Sequence, residues 1–361
     1  MAAAKPRVLV GMSGGVDSSA TAALLLSQGY DVIGVTLKLW PQDCVSRAED
    51  KCCGPQAVMD ARSVCAQLGI PYYLIDESAE FQQRVIGYFA AEYKAGRTPN
   101  PCVMCNQHLK FGTLLDRARQ LGCDWLATGH FARVERTPAG RVLLKRGHDL
   151  RKDQSYFLFS LQQEQLASVL FPLGEKTKSD TRDVARACAL RTADKEESME
   201  ICFVPDNDYG GFLQQSQLVK THAGDIVDRS GAVLGRHEGI EFYTIGQRKG
   251  LRMNSQKMLY VVELDVANNR VVVGEEAELR RATFRITNCN WIPFEVPPAS
   301  FECLAKIRYN HPGTAATVTP GPNGTAEVRL HEPARAVTPG QACVCYQDDL
   351  VVGGGWISRL D

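Results

Sequence analysis

Apolar runs and helical patterns alternate along the first half of the chain. Strands are predicted at residues 8–10, 31–40, 71–76 and 124–128. The stretches between them repeat apolar positions with helical spacing and predict helices at residues 18–28, 55–68, 81–93 and 108–121. Gly29 and Gly69 follow two of these helices, where glycine is a common helix stop. The alternation predicts a mostly parallel sheet with helices on both faces.

The pattern changes after about Cys202. Glycines become frequent, and from about Arg281 short β-prone segments recur between turn signals, which is typical of a small antiparallel barrel. We therefore predict an α/β domain at residues 1–206, a small central domain at residues 207–278 and a C-terminal β-barrel domain at residues 279–361.

Composition and net charge exclude few classes of function. The chain has 361 residues, 44% of them hydrophobic, and equal numbers of basic and acidic residues, so its net charge does not indicate nucleic-acid binding. No apolar run approaches the roughly 20 residues that span a bilayer, and the N-terminal segment lacks the features of a secretory signal. We expect a cytoplasmic protein whose 13 cysteines are mostly small core residues rather than a disulfide framework.

The loop after the first strand carries the first chemical signal. Residues 11–19 read GMSGGVDSS. Gly14 and Gly15 let backbone N–H groups approach phosphate oxygens, and the helix that follows has a partial positive charge at its start. Asp17 is suited to hold a Mg²⁺ ion that bridges phosphates. The GK[ST] of the Walker loop is missing from this string, so it predicts a different kind of nucleotide loop.

This string resembles the signature of the PP-loop ATP pyrophosphatases, which cleave ATP between its α and β phosphates and activate a substrate oxygen as an adenylate. The resemblance implies a fold like that of the adenine nucleotide α-hydrolases. It also implies an ATP site, with Mg²⁺, formed by Gly11, Met12, Ser13, Gly14, Gly15, Val16, Asp17, Ser18, Leu37 and Gly129. Leu37 is equally compatible with a place in the core.

Five further strings resemble the tRNA-specific 2-thiouridylase family, and the resemblance covers nearly the whole chain. They are TPNPCVMCNQHLKFG at residues 98–112, TGHFAR at 128–133, KDQSYFL at 152–158, MEICFVP at 199–205 and FYTIGQRKGL at 242–251. This family replaces the C2 oxygen of the wobble uridine by sulfur in the tRNAs for lysine, glutamate and glutamine, while ATP becomes AMP and pyrophosphate. The resemblance implies a sulfur transferase that is supplied by a cysteine desulfurase or a sulfur-relay protein.

Two cysteines match the catalytic pair of that family. The resemblance implies that Cys202 carries a persulfide and that Cys105 is its partner, which releases the sulfur by forming a disulfide. A helix N-terminus next to Cys105 would lower its pKa. Family members have Asp or Cys at the position of Cys102, and three thiols here allow the alternative of a [4Fe–4S] cluster on Cys102, Cys105 and Cys202. Zinc or a redox disulfide would use the same CxxC spacing. We treat as structural or incidental the thiols of Cys44, Cys52 and Cys53.

The resemblance also implies a set of tRNA contacts. They are Asn100, Pro101, Cys102, His130, Lys152, Asp153, Gln154, Arg308, Tyr309 and Gln341. The first three would meet the target base, and Gln154 has the amide groups to pair with a uracil edge. Tyr309 is suited to stack on a base and Arg308 to bind phosphate. Between residues 141 and 152 there are five basic residues and one Asp, which fits an RNA surface but is also typical of a solvated face.

Two other hypotheses stay open. A different PP-loop enzyme, one that amidates or ligates a small metabolite, would not need Cys105 or Cys202. A non-catalytic RNA-binding module with a degenerate nucleotide loop would bind tRNA without releasing pyrophosphate, although the intact SGGVDSS string argues against it.

Overall fold

The computed structural model describes residues 5–39, 54–196, 201–204, 208–216, 218–251, 253 and 257–358. The chain divides into two compact units. The first comprises Met1–Val85, Cys102–Asn207 and Asp348–Val351, and the second comprises Ile86–Pro101, Asp208–Gln347 and Val352–Asp361. Outside the described residues lie Cys44, Cys52 and Cys53, the end of the strand predicted to reach Trp40, and the predicted boundary at residues 206 and 207.

A parallel sheet is the centre of the first unit. The strands of this unit before residue 200 are β1 (Arg7–Gly11), β2 (Asp31–Lys38), β3 (Tyr72–Asp76), β4 (Trp125–Ala127), β5 (Ala132–Arg136), β6 (Val142–Arg146) and β7 (Val169–Leu170). Five of them form one sheet in the order β3-β2-β1-β4-β7, and all four neighbouring pairs in it are parallel. The predicted parallel sheet is therefore confirmed. β5 and β6 form an antiparallel hairpin that the sequence analysis did not predict.

Most of the α-helices belong to the first unit, where they connect its strands, whereas Gly87–Lys94 and Tyr209–Gln215 lie in the second unit. In chain order they are α1 (Val16–Ser27), α2 (Pro55–Leu68), α3 (Ser78–Phe81), α4 (Gly87–Lys94), α5 (Pro101–Met104), α6 (Leu114–Gln120), α7 (Gln163–Leu166), α8 (Lys178–Ala187) and α9 (Tyr209–Gln215). Two wider π-helical segments, Gln82–Ile86 and Cys105–Thr113, continue α3 into α4 and α5 into α6. α2 has the predicted bounds because Pro55 occupies its first turn and Gly69 ends it with a left-handed φ of 69°.

Apolar side chains fix the packing of α2 and the sheet. Val8 of β1 and Val32 of β2 lie in one buried cluster with Ala61, Val64 and Cys65 of α2, all at most 2% exposed. Burying a valine or leucine side chain stabilises the folded state by about 1.5–3 kcal/mol relative to leaving it exposed. The carboxyl ends of β1 and β4 are thereby held side by side, which is the edge where parallel sheets bind ligands.

One predicted boundary is wrong in a way that matters for the site. The sequence predicts a loop at residues 96–106 and a helix from about His108, whereas the structure begins that helix at Pro101. Proline suits a first helical position because its missing N–H has no partner to lose there. Cys102 and Cys105 consequently lie on the helix rather than in a loop before it.

The second unit contains a small central sheet. Its strands are β8 (Gly224–Val227), β9 (Val233–His237), β10 (Tyr260–Asp265) and β11 (Arg270–Gly274), in the order β10-β11-β8-β9. β8 and β11 are parallel, and the other two pairs are antiparallel. Ile226, Val261 and Val271 are fully buried between this sheet and the short segment that contains Ile240 and Tyr243.

The C-terminal strands form the predicted antiparallel barrel. They are β12 (Arg280–Trp291), β13 (Phe301–Lys306), β14 (Thr314–Pro320), β15 (Ala326–Arg335), β16 (Ala342–Gln347) and β17 (Leu350–Ile357). Their order is β12-β15-β14-β13-β16-β17, and a further pairing of β12 with β17 closes the ring. Alternate residues such as Val328 and Leu330 point into a core that also contains Cys343 and Cys345. Among the described residues, no helix has the length and apolar character to cross a membrane.

Candidate nucleotide and sulfur-transfer site

The GMSGGVDSS loop joins the end of β1 to the start of α1 and is held in shape by its own hydroxyl groups. The Ser13 N–H donates to Oγ of Ser18 at 3.1 Å, and the two hydroxyl oxygens lie 3.2 Å apart. Ser19 Oγ donates to the Gly15 carbonyl at 2.8 Å. Gly15 is the N-cap of α1, and with no side chain it adds no capping acceptor for the first amides of the helix. The loop therefore presents a preformed helix N-terminus of the kind that binds phosphate groups.

Two glycines make this shape possible. Gly14 has a left-handed φ of 71°, and a Cβ atom there would lie 2.2 Å from the Ala57 carbonyl oxygen of α2. Gly129 follows β4, and a Cβ atom there would lie 2.9 Å from the Ser18 nitrogen. Both positions therefore need glycine because backbone atoms approach each other too closely for any side chain.

The apolar members of the predicted nucleotide site lie under the loop. Met12 is 2% exposed, Val16 is 3% exposed and Leu37 of β2 is 9% exposed. The backbone N–H of Met12 donates to the Val35 carbonyl at 2.7 Å, and Thr36 Oγ1 donates to the Met12 carbonyl at 2.7 Å. These contacts tie the loop to β2, and the burial of Leu37 is what either of its two predicted roles requires.

Asp17, the predicted Mg²⁺ ligand, has an ion-pair partner that the sequence analysis missed. Nζ of Lys178 lies 2.6 Å from Oδ1 of Asp17, and the Lys178 side chain is only 12% exposed. Lys178 is the first residue of α8, whose N-terminus is fixed by reciprocal hydrogen bonds between Thr177 and Asp180. That Thr-x-x-Asp capping pattern was visible in the sequence and would have located the helix start, but not the partner of Lys178.

A second lysine contacts the loop from the segment that leads towards Cys202. Nζ of Lys195 donates to the Gly14 carbonyl at 3.1 Å and to Oδ2 of Asp60 at 2.7 Å. Burial by itself would raise the pKa of Asp60, but hydrogen bonds from Lys195 and Gln56 outweigh it and lower that pKa below its usual value. Asp60 is therefore a carboxylate that holds Lys195 against the nucleotide loop. No sequence motif pointed to this pair.

The three cysteines of interest belong to the first unit and are partly buried. Cys102 lies in α5, Cys105 begins the π-helical segment, and Cys202 lies beyond α8 in the chain. Cys105 is thus one turn inside the helix, so the predicted effect of a helix N-terminus on its pKa loses its structural basis. π-helical segments occur often at functional sites because they redirect side chains locally.

These thiols do not form a ready metal site. In the part of the chain that the structure describes, which includes all three thiols, there is no group of three or more His, Cys, Asp or Glu side chains placed to hold a metal ion. A [4Fe–4S] cluster needs thiolates grouped around it. The arrangement seen here does not fit the cluster, and no step below is derived through one.

Two of the predicted tRNA contacts of the first unit, His130 and Asp153, are buried polar groups. Nδ1 of His130 lies 2.7 Å from Oγ1 of Thr128, and burial holds the pKa of His130 well below its usual value, with Lys110 acting in the same direction. Oε1 of Gln154 accepts the Phe131 N–H at 3.1 Å. Lys152, two residues before Gln154, is partly buried.

Asp153 has an evident structural role. It is 8% exposed, and its carboxylate accepts from the Gly147 and Ser155 N–H groups at 3.1 Å and from Ser155 Oγ at 3.0 Å. These three hydrogen bonds fix the turn that carries Lys152 and Gln154. Its predicted contact with tRNA stays a prediction.

The predicted contacts of the second unit lie in two places. Asn100 is 7% exposed, and the adjacent Pro101 is buried. In the barrel, Nη1 of Arg308 donates to the Arg335 carbonyl at 3.2 Å. Tyr309 has the ammonium group of Lys306 5.6 Å from its ring centre. The last, Gln341, is bonded to the backbone that precedes Asn100.

Comparison with known proteins finds matches over nearly the whole chain. Three family models match it in succession: a tRNA methyl transferase HUP domain at residues 6–206, a tRNA methyl transferase PRC-barrel domain at 211–275 and an aminomethyltransferase β-barrel domain at 281–357. A tRNA-specific 2-thiouridylase MnmA of Geobacter metallireducens is 50% identical over 358 residues, or 98% of this chain and 97% of the relative. The chain belongs to the tRNA-specific 2-thiouridylase family. Another relative of that name, from Acidobacterium capsulatum, is 48% identical over 97% of this chain and 98% of its own.

Membership of the 2-thiouridylase family confirms the resemblance drawn from the motifs, as well as the predicted order of a parallel-sheet domain, a central domain and a barrel. The exact domain boundaries stay predictions. Among solved structures, a 4-thiouridine synthetase–RNA complex with bound ATP is 16% identical, over 59% of this chain and 50% of that chain, with a TM-score of 0.37.

Proposed function

We propose that this enzyme replaces the C2 oxygen of the wobble uridine in tRNA by sulfur, and that it converts ATP to AMP and pyrophosphate in doing so. The observation that carries the proposal is the preformed loop at the end of β1, in a chain that is 50% identical to a named 2-thiouridylase over nearly its whole length. The description of the matching family model names methyl transfer. That reaction would not require a loop suited to bind the phosphates of ATP.

The first step is adenylation. The N–H groups and hydroxyls of Ser13 and Ser18, with the open start of α1, would hold the phosphates of ATP. Asp17 would bind the Mg²⁺ that accompanies ATP, and Lys178 would then turn from Asp17 towards the phosphates. The uridine O2 attacks the α-phosphate, the bond to the β-phosphate breaks, and pyrophosphate leaves. AMP on O2 then makes a good leaving group of an oxygen that is otherwise a poor one.

The second step transfers sulfur. A cysteine desulfurase or relay protein first supplies a persulfide on Cys202. Its terminal sulfur attacks C2, and AMP leaves with the former O2. The thiolate of Cys105 then attacks Sγ of Cys202, so that a Cys105–Cys202 disulfide forms and the 2-thiouridine is released with the outer sulfur. A dithiol reductant afterwards restores both thiols.

The family resemblance suggests which residues would bind the substrate. Asn100, Pro101 and Cys102 would face the target base, and His130, Lys152 and Gln154 would contact the tRNA. Arg308 and Tyr309 of the barrel would also contact the tRNA. By family resemblance the acceptors are the tRNAs for lysine, glutamate and glutamine, and we expect the enzyme to act in the cytoplasm, where tRNA is available.

The test is a thiolation assay on anaerobically purified enzyme, with iron content measured in parallel. Cys105→Ala and Cys202→Ala should abolish 2-thiouridine formation but keep tRNA-dependent pyrophosphate release. Cys123→Ala, at another partly buried cysteine of the first unit, should leave both unchanged.

Cys102→Asp separates the persulfide relay from a cluster. Full activity without iron would exclude a cluster, whereas iron-dependent activity that requires Cys102 would refute the relay. Wild-type thiolation rates in Cys105→Ala or Cys202→Ala would refute the proposed chemistry.

A further inference from the structure

The turn Pro339–Gln341, between β15 and β16, contacts the segment that precedes the proposed target-base residues. Nε2 of Gln341 donates to the Thr98 carbonyl at 3.1 Å and to the Pro99 carbonyl at 3.0 Å. The Thr98 N–H donates to the Pro339 carbonyl at 2.8 Å. Three hydrogen bonds therefore join the turn to two consecutive residues just before Asn100, within the second unit.

Both amide protons of Gln341 are used in these contacts. A glutamine side chain has two N–H donors on one nitrogen, and here each has a backbone carbonyl in reach. The Thr98 and Pro99 carbonyls gain one donor each. A Gln341 side chain that turned towards RNA would give up both bonds. The side chain is therefore engaged with the protein in the tRNA-free chain, and its predicted contact with tRNA stays a prediction.

The turn itself is fixed. The Gly340 N–H donates to the Ile357 carbonyl at 2.9 Å, and the Ile357 N–H donates to the Gln341 carbonyl at 2.8 Å, which anchors the turn on β17. Gly340 has a left-handed φ of 89°, and a Cβ atom there would lie 2.8 Å from the Thr98 carbonyl oxygen. Glycine thus allows the turn and residue 98 to meet backbone to backbone.

We propose that Gln341 is a positioning residue, which sets the target-base residues Asn100 to Cys102 by holding Thr98 and Pro99 against the barrel. The proposal rests on the function proposed above. The barrel would then contribute to catalysis, because its turn at residues 339–341 holds the backbone just before the residues that are proposed to contact the uridine. Gln341 would influence the rate of thiolation in the enzyme–tRNA complex more than the affinity for tRNA.

Gln341→Met tests this, because methionine keeps the length of the side chain and removes both donors. Loss of two hydrogen bonds of ordinary strength predicts a fall of about 5- to 100-fold in kcat for thiolation. The Kd for tRNA should stay within about twofold, since the affinity is distributed over many phosphate contacts. Gln347→Met is the matched control, since Gln347 donates to the Glu302 carbonyl at 2.8 Å elsewhere in the barrel.

Hydrogen–deuterium exchange on the tRNA-free enzyme measures the contact of Gln341 with Thr98 and Pro99 independently of catalytic activity. Pro99 and Pro101 lack amide protons, so Thr98 and Asn100 report, and their exchange should be at least about tenfold faster in Gln341→Met than in wild type. Gln341→Glu, which turns an acceptor towards both carbonyls, should be impaired further. Melting curves identify any variant that fails to fold.

An unchanged exchange rate combined with a tRNA Kd raised more than about tenfold would show that Gln341 binds RNA directly and would overturn the proposal. An unchanged kcat would overturn it as well. If wild-type enzyme did not thiolate tRNA at all, the proposed function would fail, while the exchange experiment would still decide whether Gln341 holds Thr98 and Pro99.

Discussion

Replacing Lys178 by methionine removes one positive charge beside the nucleotide loop while keeping most of the side-chain length. In the structure Nζ of Lys178 lies 2.6 Å from Oδ1 of Asp17 and 5.6 Å from the ring centre of Phe131. The Lys178 side chain is 12% exposed and that of Asp17 is 32% exposed. Methionine would leave the Asp17 carboxylate without this partner and would place an apolar group where ATP phosphates are proposed to bind.

Burial sets the size of the effect. Exposed ion pairs contribute about 0–1 kcal/mol, and breaking a buried pair costs about 3–5 kcal/mol. One largely buried and one partly exposed partner place the Asp17–Lys178 pair between these limits, at about 2 kcal/mol. If the same charge stabilises bound phosphate to that extent, KM for ATP should rise about 30-fold. The increase should shrink at high salt, although less than for a fully exposed pair.

The assay is tRNA-dependent pyrophosphate release at varied ATP concentration. Lys176→Met makes the same charge change two residues earlier in the chain and should alter KM by less than about threefold, as surface charge changes usually do. If Lys178→Met left KM for ATP within that range while remaining folded, the proposed movement of Lys178 from Asp17 to phosphate would be wrong.

Three further predictions concern the loop, a buried histidine and the thiols. Gly14→Ala should abolish protection of the enzyme by ATP against thermal unfolding, because its φ of 71° and a 2.2 Å contact both exclude a Cβ atom. Burial lowers the pKa of His130, so below about pH 6.5 this histidine takes up a proton in the unfolded chain but not in the folded chain. The folded state therefore loses stability as the pH falls below that value. His130→Gln removes the titrating group and should flatten this part of the Tm–pH profile. Cys105→Ala should accumulate a tRNA joined to Cys202 through sulfur, which mass spectrometry of the complex would detect.

Each of these three has its own check. Gly29→Ala introduces the same left-handed strain, at a φ of 88°, where no atom lies within 4 Å of the added Cβ, so it should retain ATP protection. An unchanged slope between pH 7 and 5 in His130→Gln, at about the pH where histidine titrates, would assign the loss of stability to other groups. For Cys105→Ala, release of free 2-thiouridine tRNA would contradict the order of the two thiol steps.

The parallel sheet and the nucleotide loop were predictable because local patterns determine them. Val8 to Val10 form an apolar run that ends at Gly11, and a glycine pair before a helix has few structural alternatives. The helix at Pro55–Leu68 has a proline at its start and a glycine at its end, which set both bounds. Periodicity and helix-stop residues are properties of short segments, so they can be recognised without knowledge of the rest of the fold.

The partners of charged residues were not predictable. Asp17 and Lys178 are 161 positions apart, and Asp60 and Lys195 are 135 apart, so only the folded chain brings their charges together. The start of the helix at Pro101 was missed for another reason. A proline in a polar, proline-rich stretch predicts a loop, yet the same residue is favourable in the first turn of a helix, and burial of Val103 and Leu109 decides between the two.

The bonds between Gln341 and residues 98 and 99 also constrain how the enzyme can be synthesised. The Gln341–Thr98 bond joins residues 243 positions apart in sequence. At a translation rate of about 5–20 residues per second, Thr98 is added to the chain roughly 12–50 seconds before Gln341. The contact that holds Thr98 and Pro99 can therefore form only near the end of synthesis. If Gln341 positions this segment as proposed, a prematurely terminated product would contain residues 98–102 but lack the side chain that holds them.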